Sequence, residues 1–148
     1  MDNELSEFRA QLSAAGQVNQ TTVREWDVKK KAAIVGISKD SVLMGGSNSG
    51  AKLSKKSFGE AKAQITRQPV MSTEEANQLA NAGFAASALS LIQGEGRCQG
   101  RADLKAGAVV EIKGIGKRFS GPYYITVVNH RYDADGYSAN FTAWRNAI

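Results

Sequence analysis

The chain is poor in the residues that usually carry chemistry. It holds one cysteine and one histidine in 148 residues. A lone Cys98 cannot close an intrachain disulfide, so nothing in the sequence calls for an oxidising compartment. One His and one Cys also exclude a zinc site of ordinary composition. His130 lies mid-strand between Asn129 and Arg131, and as a general base it would need an orienting carboxylate and a nucleophile beside it. A lone strand histidine of this kind is ordinarily structural. Arg97 and Arg101 flank Cys98 and would lower its thiol pKa if the group were solvated beside them. No catalytic residue, cofactor or metal is expected. No run of about 18 apolar residues is present to span a bilayer. Met1 to Ala15 lacks the basic start and apolar centre of a secretion signal, so synthesis in the cytoplasm is expected. Prolines number two, and hydrophobic residues make up 42%, which argues against wholesale disorder.

What remains is the material of one domain with a real core. The net charge of +5 permits contact with nucleic acid or an acidic surface without establishing either. The clearest segment is the last quarter. Tyr123, Ile125, Val127, Asn129 and Arg131 fall on one face at a period of two, and Tyr124, Thr126, Val128, His130 and Tyr132 on the other. Asp133-Ala134-Asp135-Gly136 supplies a turn. It lacks the distal glutamate of a calcium loop. A second strand follows, with Tyr137, Ala139, Phe141 and Ala143 alternating against Ser138, Asn140, Thr142 and Trp144. Substantial side chains on both faces predict a hairpin covered on one side by its own core and on the other by a partner.

Upstream, Leu5, Phe8 and Leu12 stand at helical spacing and predict a short helix within an N-terminal segment, residues 1–16. A β domain then spans 17–148. Gln17 to Gly36 reads as one or two strands. Residues 38–59 hold no sustained period and predict an irregular loop, either solvated or ordered only against a neighbouring subunit. Its lysines lack interleaved aromatics apart from Phe58, which gives base stacking little support. Ala63 to Val70 reads as a brief extended piece. Ser72 and Glu75 form a capping box, and Ala76, Leu79, Ala80, Gly83, Phe84, Ala88 and Leu91 continue as a helix over 73–93, with Gly94 ending it. Its alanine and glycine stripe allows close approach to a sheet. GEGRCQGRADLKAG reads as turns, and neither it nor Gly114-Ile115-Gly116 has the context of a phosphate-binding loop. Ala108 to Lys113 is a strand. The fold class is α+β, mainly antiparallel β as a small barrel or strongly bent sheet, with one long helix.

Three stretches in fixed order carry a resemblance: VREWDVKKKAAIVG, STEEANQLANAGFAASALSLIQGEGRCQGRADLKAGAVVEIKG and FSGPYYITVVNHRYDADGYSANFTAWRN. Over residues 17–146 the chain resembles the baseplate hub and spike proteins of contractile tails, the phage late control gene D and Rhs-element Vgr (VgrG-like) proteins. The resemblance implies a tube-like domain in a homotrimeric ring that joins an inner tube protein to spike or baseplate proteins, without catalysis, cofactor or specific nucleic acid. It implies assembly into a phage tail or an injection particle of the type VI secretion kind. Hubs of this family extend beyond the matched region on both sides, so the rest of such a hub is expected on a longer product or a separate chain. Under this reading Trp26, Phe84, Tyr123, Tyr124, His130, Tyr132, Tyr137, Phe141 and Trp144 serve packing or interfaces. The rival readings are a small β-barrel nucleic-acid-binding module, favoured by the charge, and a hydrolase built on His130.

Overall fold

The 133–136 turn closes the long hairpin that the sequence predicts, and the rest of the fold is arranged around it. The computed structural model describes residues 5–66 and 68–148. In chain order the elements are β1 (Leu5–Leu12), β2 (Gln20–Asp27), β3 (Ala32–Ser38), α1 (Gly50–Phe58), β4 (Lys62–Ile65), α2 (Thr73–Leu89), β5 (Ile92–Gln99), β6 (Val109–Ile112), β7 (Gly121–Asp133) and β8 (Gly136–Arg145). A large antiparallel sheet has the order β1-β5-β8-β7-β6, and a small sheet the order β3-β2-β4, in which β4 runs parallel to β2. The fold is therefore α+β and mainly antiparallel, with two helices among the described residues.

The large sheet curls into a half-barrel. Strands β1 and β7 are separated by β5 and β8, which in a flat sheet would put them about 14 Å apart. Yet the rings of Phe8 on β1 and Tyr123 on β7 meet edge-to-face with centroids 5.4 Å apart. Phe8 also lies 6.3 Å from Phe141. The core inside this curl contains Leu91, Ile92, Leu104, Ile112, Tyr123, Ile125, Ala139, Phe141 and Ala143. Strand β5 makes room for it. Its inward positions are Ile92, Gly94, Gly96 and Cys98, alternating with exposed Gln93, Glu95, Arg97 and Gln99. A Cβ on Gly94 would meet the Phe8 ring at 2.3 Å, and one on Gly96 the Phe141 ring at 2.4 Å. The turn-rich reading of GEGRCQG is thus corrected. The glycines are a strand's inner face, emptied to admit rings from both neighbours.

Two bulges account for two further departures. The register shifts between Leu5 and Glu7, so Leu5 and Phe8 face the same side three residues apart. Phe8, Ala10 and Leu12 then continue at a period of two. That mixture imitates helical spacing, and the segment 5–12 is strand β1, not the short helix expected; residues 1–4 of that expectation lie outside the described residues. A second shift falls between Ile125 and Val127. Beyond it every side chain of β7 changes face. Tyr123 and Ile125 are buried in the core, and Val128, not Val127, continues it.

The small sheet is covered by α2. Ser72 accepts from the Glu75 amide at 3.1 Å, and the Glu75 carboxylate accepts from the Met71 amide at 2.7 Å, a variant of the expected box. Ala76, Ala80, Phe84 and Ala88 form the buried face of the helix, and Val23, Ile34 and Val70 pack against its start. The approach is close, since a Cβ on Gly36 would lie 2.2 Å from the Ala76 carbonyl carbon. The helix stops at Leu89, short of the expected 93, because Ile92 already begins β5.

Residues 38–59 are not a uniform loop. Ser49 caps α1, accepting from the Lys52 amide at 3.3 Å. The preceding stretch is held by the chain's own end. Asn146 accepts from the Met44 amide at 2.8 Å and donates to the Val42 carbonyl at 2.7 Å. The amides of Ser47 and Asn48 donate to the Ile148 carbonyl at 3.2 and 3.1 Å. Hydrogen bonds within one chain thus order part of a segment expected either to be solvated or to be ordered only against a neighbouring subunit.

Candidate interaction surface

The nine residues expected to pack or make interfaces divide into three sets. Phe84, Tyr123 and Phe141 are buried. The Tyr123 hydroxyl donates to the Phe119 carbonyl at 2.7 Å. Burial pushes the Tyr123 phenol above its ordinary pKa, with Arg145 opposing. The Arg145 guanidinium lies 5.8 Å from the centre of the Tyr123 ring. This arginine is buried, and its donors go to carbonyls: Ser120 at 2.7 Å, Phe119 at 3.4 Å and Met44 at 3.3 Å. It joins β8, the β6–β7 loop and the segment before α1. The sequence reading passed over it. A signal was present, because extending the period of two from Ala139 through Phe141 and Ala143 lands on Arg145.

His130, Tyr137 and Tyr132 form the second set, at the tip of the hairpin. His130 Nε2 lies 3.0 Å from the Leu104 carbonyl and Nδ1 lies 2.9 Å from the Tyr137 hydroxyl. A carbonyl only accepts, so Nε2 carries a hydrogen, and in the neutral ring Nδ1 accepts from the tyrosine. Nε2 ties the 100–108 loop to the hairpin and Nδ1 ties β7 to Tyr137 on β8, so both ring nitrogens are spent on structural bonds that involve no carboxylate. Tyr132 sits 6.5 Å from Tyr137, centroid to centroid, and is 85% exposed. The calcium-like turn is plain: Asp133 Oδ1 accepts from the Asp135 amide at 3.0 Å.

Trp26, Tyr124 and Trp144 face outward. Trp26 is 56% exposed beside the β2–β3 turn, where Asp27 Oδ1 accepts from the amides of Lys29 and Lys30 at 2.9 and 3.0 Å. Tyr124 and Trp144 pair across β7 and β8 on the outer face of the large sheet, half-buried, with exposed Val109 opposite Tyr124 and exposed Val127 further along β7. This apolar end grades into a charged one. Glu7 stands opposite Arg97 and Arg9 opposite Glu95, with Glu7 and Arg9 paired at 2.7 Å. A shallow groove of about 450 Å³ crosses these residues together with Asn129 and Asn140. The outer face thus offers a partner a hydrophobic margin and a lattice of both charge signs.

Cys98 points into the core. Burial pushes its thiol upward in pKa and outweighs the opposing Arg101, so the flanking arginines do not activate it. Arg101 is ion-paired with Asp103 and holds that carboxyl below its usual range. Among the described residues no group of three or more His, Cys, Asp and Glu is placed to hold a metal. No helix among them is long and apolar enough to cross a membrane.

A model of the Alg8 N-terminal domain family matches residues 2–134. The chain belongs to that family. No curated protein matches it. Among solved structures, the 43 kDa tail protein of prophage MuSo2 from Shewanella oneidensis is similar at a TM-score of 0.66 and 14% identity, over 97% of this chain and 41% of that one. The tail protein from Neisseria meningitidis MC58 is similar at 0.62 and 9% identity, over 97% and 40%. A chain of the virion of a native gene transfer agent particle is similar at 0.52 and 14% identity, over 97% and 30%. At these identities the likeness is one of fold. This Alg8 N-terminal domain family member spans about two-fifths of the length of each of the two tail proteins.

Proposed function

We propose that the chain is a structural, non-enzymatic component of a phage tail or a related contractile injection machine, synthesised in the cytoplasm and built into the particle. The observation that carries this reading is that nearly the whole chain follows the fold of two tail proteins, at 97% coverage of its own length in each. The finer assignment is to a hub domain of the gene D and Vgr type. In it, three copies form a ring between the inner tube protein and the spike or baseplate. The outer face of the large sheet supports it, since its half-buried Tyr124 and Trp144, with exposed Val109 and Val127, suit a surface completed by assembly.

The test is the solution mass by light scattering over a wide concentration range, for this chain and for a version extended at both ends, each alone and with tube protein. A trimer in either supports the hub assignment. Monomers throughout, with no association with tube protein, would sink it. Steeply salt-dependent binding of DNA or RNA in the same preparations would move the nucleic-acid-binding module to the front.

A further inference from the structure

Between the end of β3, the start of α1 and the start of β4 lies a cleft of about 590 Å³ that nothing above employs. Four lysines from three elements line it: Lys39 after β3, Lys52 and Lys55 on α1, and Lys62 at the start of β4. Two carboxylates, Glu60 and Asp40, line it too, so four positive charges less two negative leave two uncompensated. Glu60 is paired with Lys55 at 2.6 Å. Its carboxyl is held below the usual range first by that bond and then by the charges of Lys55 and Lys62. Ser49, the cap of α1, also lines the space.

The arrangement opposes local electrostatics. The first turn of α1 has no acidic residue and carries Lys52, where the helix dipole disfavours a cation. Four like charges lining one cleft add mutual repulsion. Glu60 answers Lys55 and Asp40 also lines the cleft, yet two positive charges remain in excess, and an unoffset charge of this kind is expected where function has shaped a site. Lysines bind phosphate as point charges, and the basic groups of the lining are all lysines, with no arginine fork of the kind that grips carboxylate or phosphate in two-point fashion. The volume falls in the range of small-molecule sites. Phe84 at the floor is only 2% exposed, so it offers no face for stacking bases, which disfavours a nucleic-acid strand.

We propose that this cleft binds a small ligand bearing closely spaced phosphate groups, held by Lys39, Lys52 and Lys62, with the Glu60 carboxylate occupying part of the site as an internal competitor. The site is independent of the tail assignment. Titration calorimetry of the full chain with sodium tripolyphosphate at low salt tests it. One-site binding is expected, weakened about tenfold or more in Lys52→Gln/Lys62→Gln and tightened about threefold in Glu60→Gln. Both lysines are exposed, and a thermal melt of each variant verifies that it is folded. Absence of binding by the wild-type chain overturns the proposal. So does binding unchanged in the double-lysine variant, or weakened in Glu60→Gln. Citrate binding as tightly as tripolyphosphate overturns the phosphate assignment, and a single-stranded oligonucleotide binding more tightly overturns the small-ligand one.

Discussion

The two sheets of this protein close their cores in opposite ways. In the large sheet, bulky rings from β1, β7 and β8 converge, and β5 yields space by placing glycine beneath them. In the small sheet, the helix presents Ala76 and Ala80 and the backbones meet, Gly36 against the main chain of Ala76. Packing in the first region is limited by side chains, which change rotamer. Packing in the second is limited by main chain, which cannot move without shifting a helix. Glycine thus has the same purpose in both regions but a different tolerance to replacement.

This contrast makes a ranked prediction. Gly36→Ala forces α2 away from the small sheet and should cost about 3 kcal/mol in urea unfolding. Gly96→Ala meets only the far end of the Phe141 ring, and should cost about 1 kcal/mol, recovered in part by Phe141→Leu. If Gly96→Ala proves the more damaging of the two, the contrast fails. The small sheet carries another test. Thr21 is buried, and its hydroxyl finds no hydrogen-bond partner among the described residues. Thr21→Val should therefore stabilise the protein by about 1 kcal/mol, seen as a higher urea midpoint at unchanged slope. A loss of stability would mean that the hydroxyl is satisfied by water.

The smallest effect concerns Cys98 on the inner face of β5. Its folded pKa is raised by burial, so the thiol favours the protonated state in the fold. The contribution is complete below the unfolded pKa of about 8.5 and is lost as pH rises through the higher folded value. The melting temperature of the wild-type chain should fall more steeply above that pH than that of Cys98→Ala. Equal slopes would show that the thiol ionises as freely in the fold as in the open chain. A thiol reagent should likewise react more slowly with folded than with unfolded protein.

Legibility in the sequence did not follow the division between the two sheets. The capping residues and the Ala76, Ala80, Phe84 and Ala88 stripe of α2 could be read directly, because helix periodicity survives in a local window. The β7–β8 hairpin was equally plain. The strand β5 was hidden because Gly94 and Gly96 carry no hydrophobic signal, although they are its core positions. β1 was mistaken for a helix because a bulge changes a spacing of two into three at Leu5 and Phe8. Of the residues expected to pack or make interfaces, Phe84, Tyr123 and Phe141 lie in the core. Trp26 and Tyr132 lie at exposed hairpin ends, where a period of two assigns a face but not its environment.

The sequence alone determined the α+β class, the main helix and its cap, the closing hairpin, and the poverty of catalytic groups, because each depends on residue type and short-range period. Tertiary structure decided which face of β7 continues the core beyond the bulge, that β5 is a strand, that residues 42–48 are held by Asn146 and Ile148, and that four lysines line one cleft. Those features depend on contacts between residues far apart in the chain, and a local pattern carries no record of which distant partner will complete it.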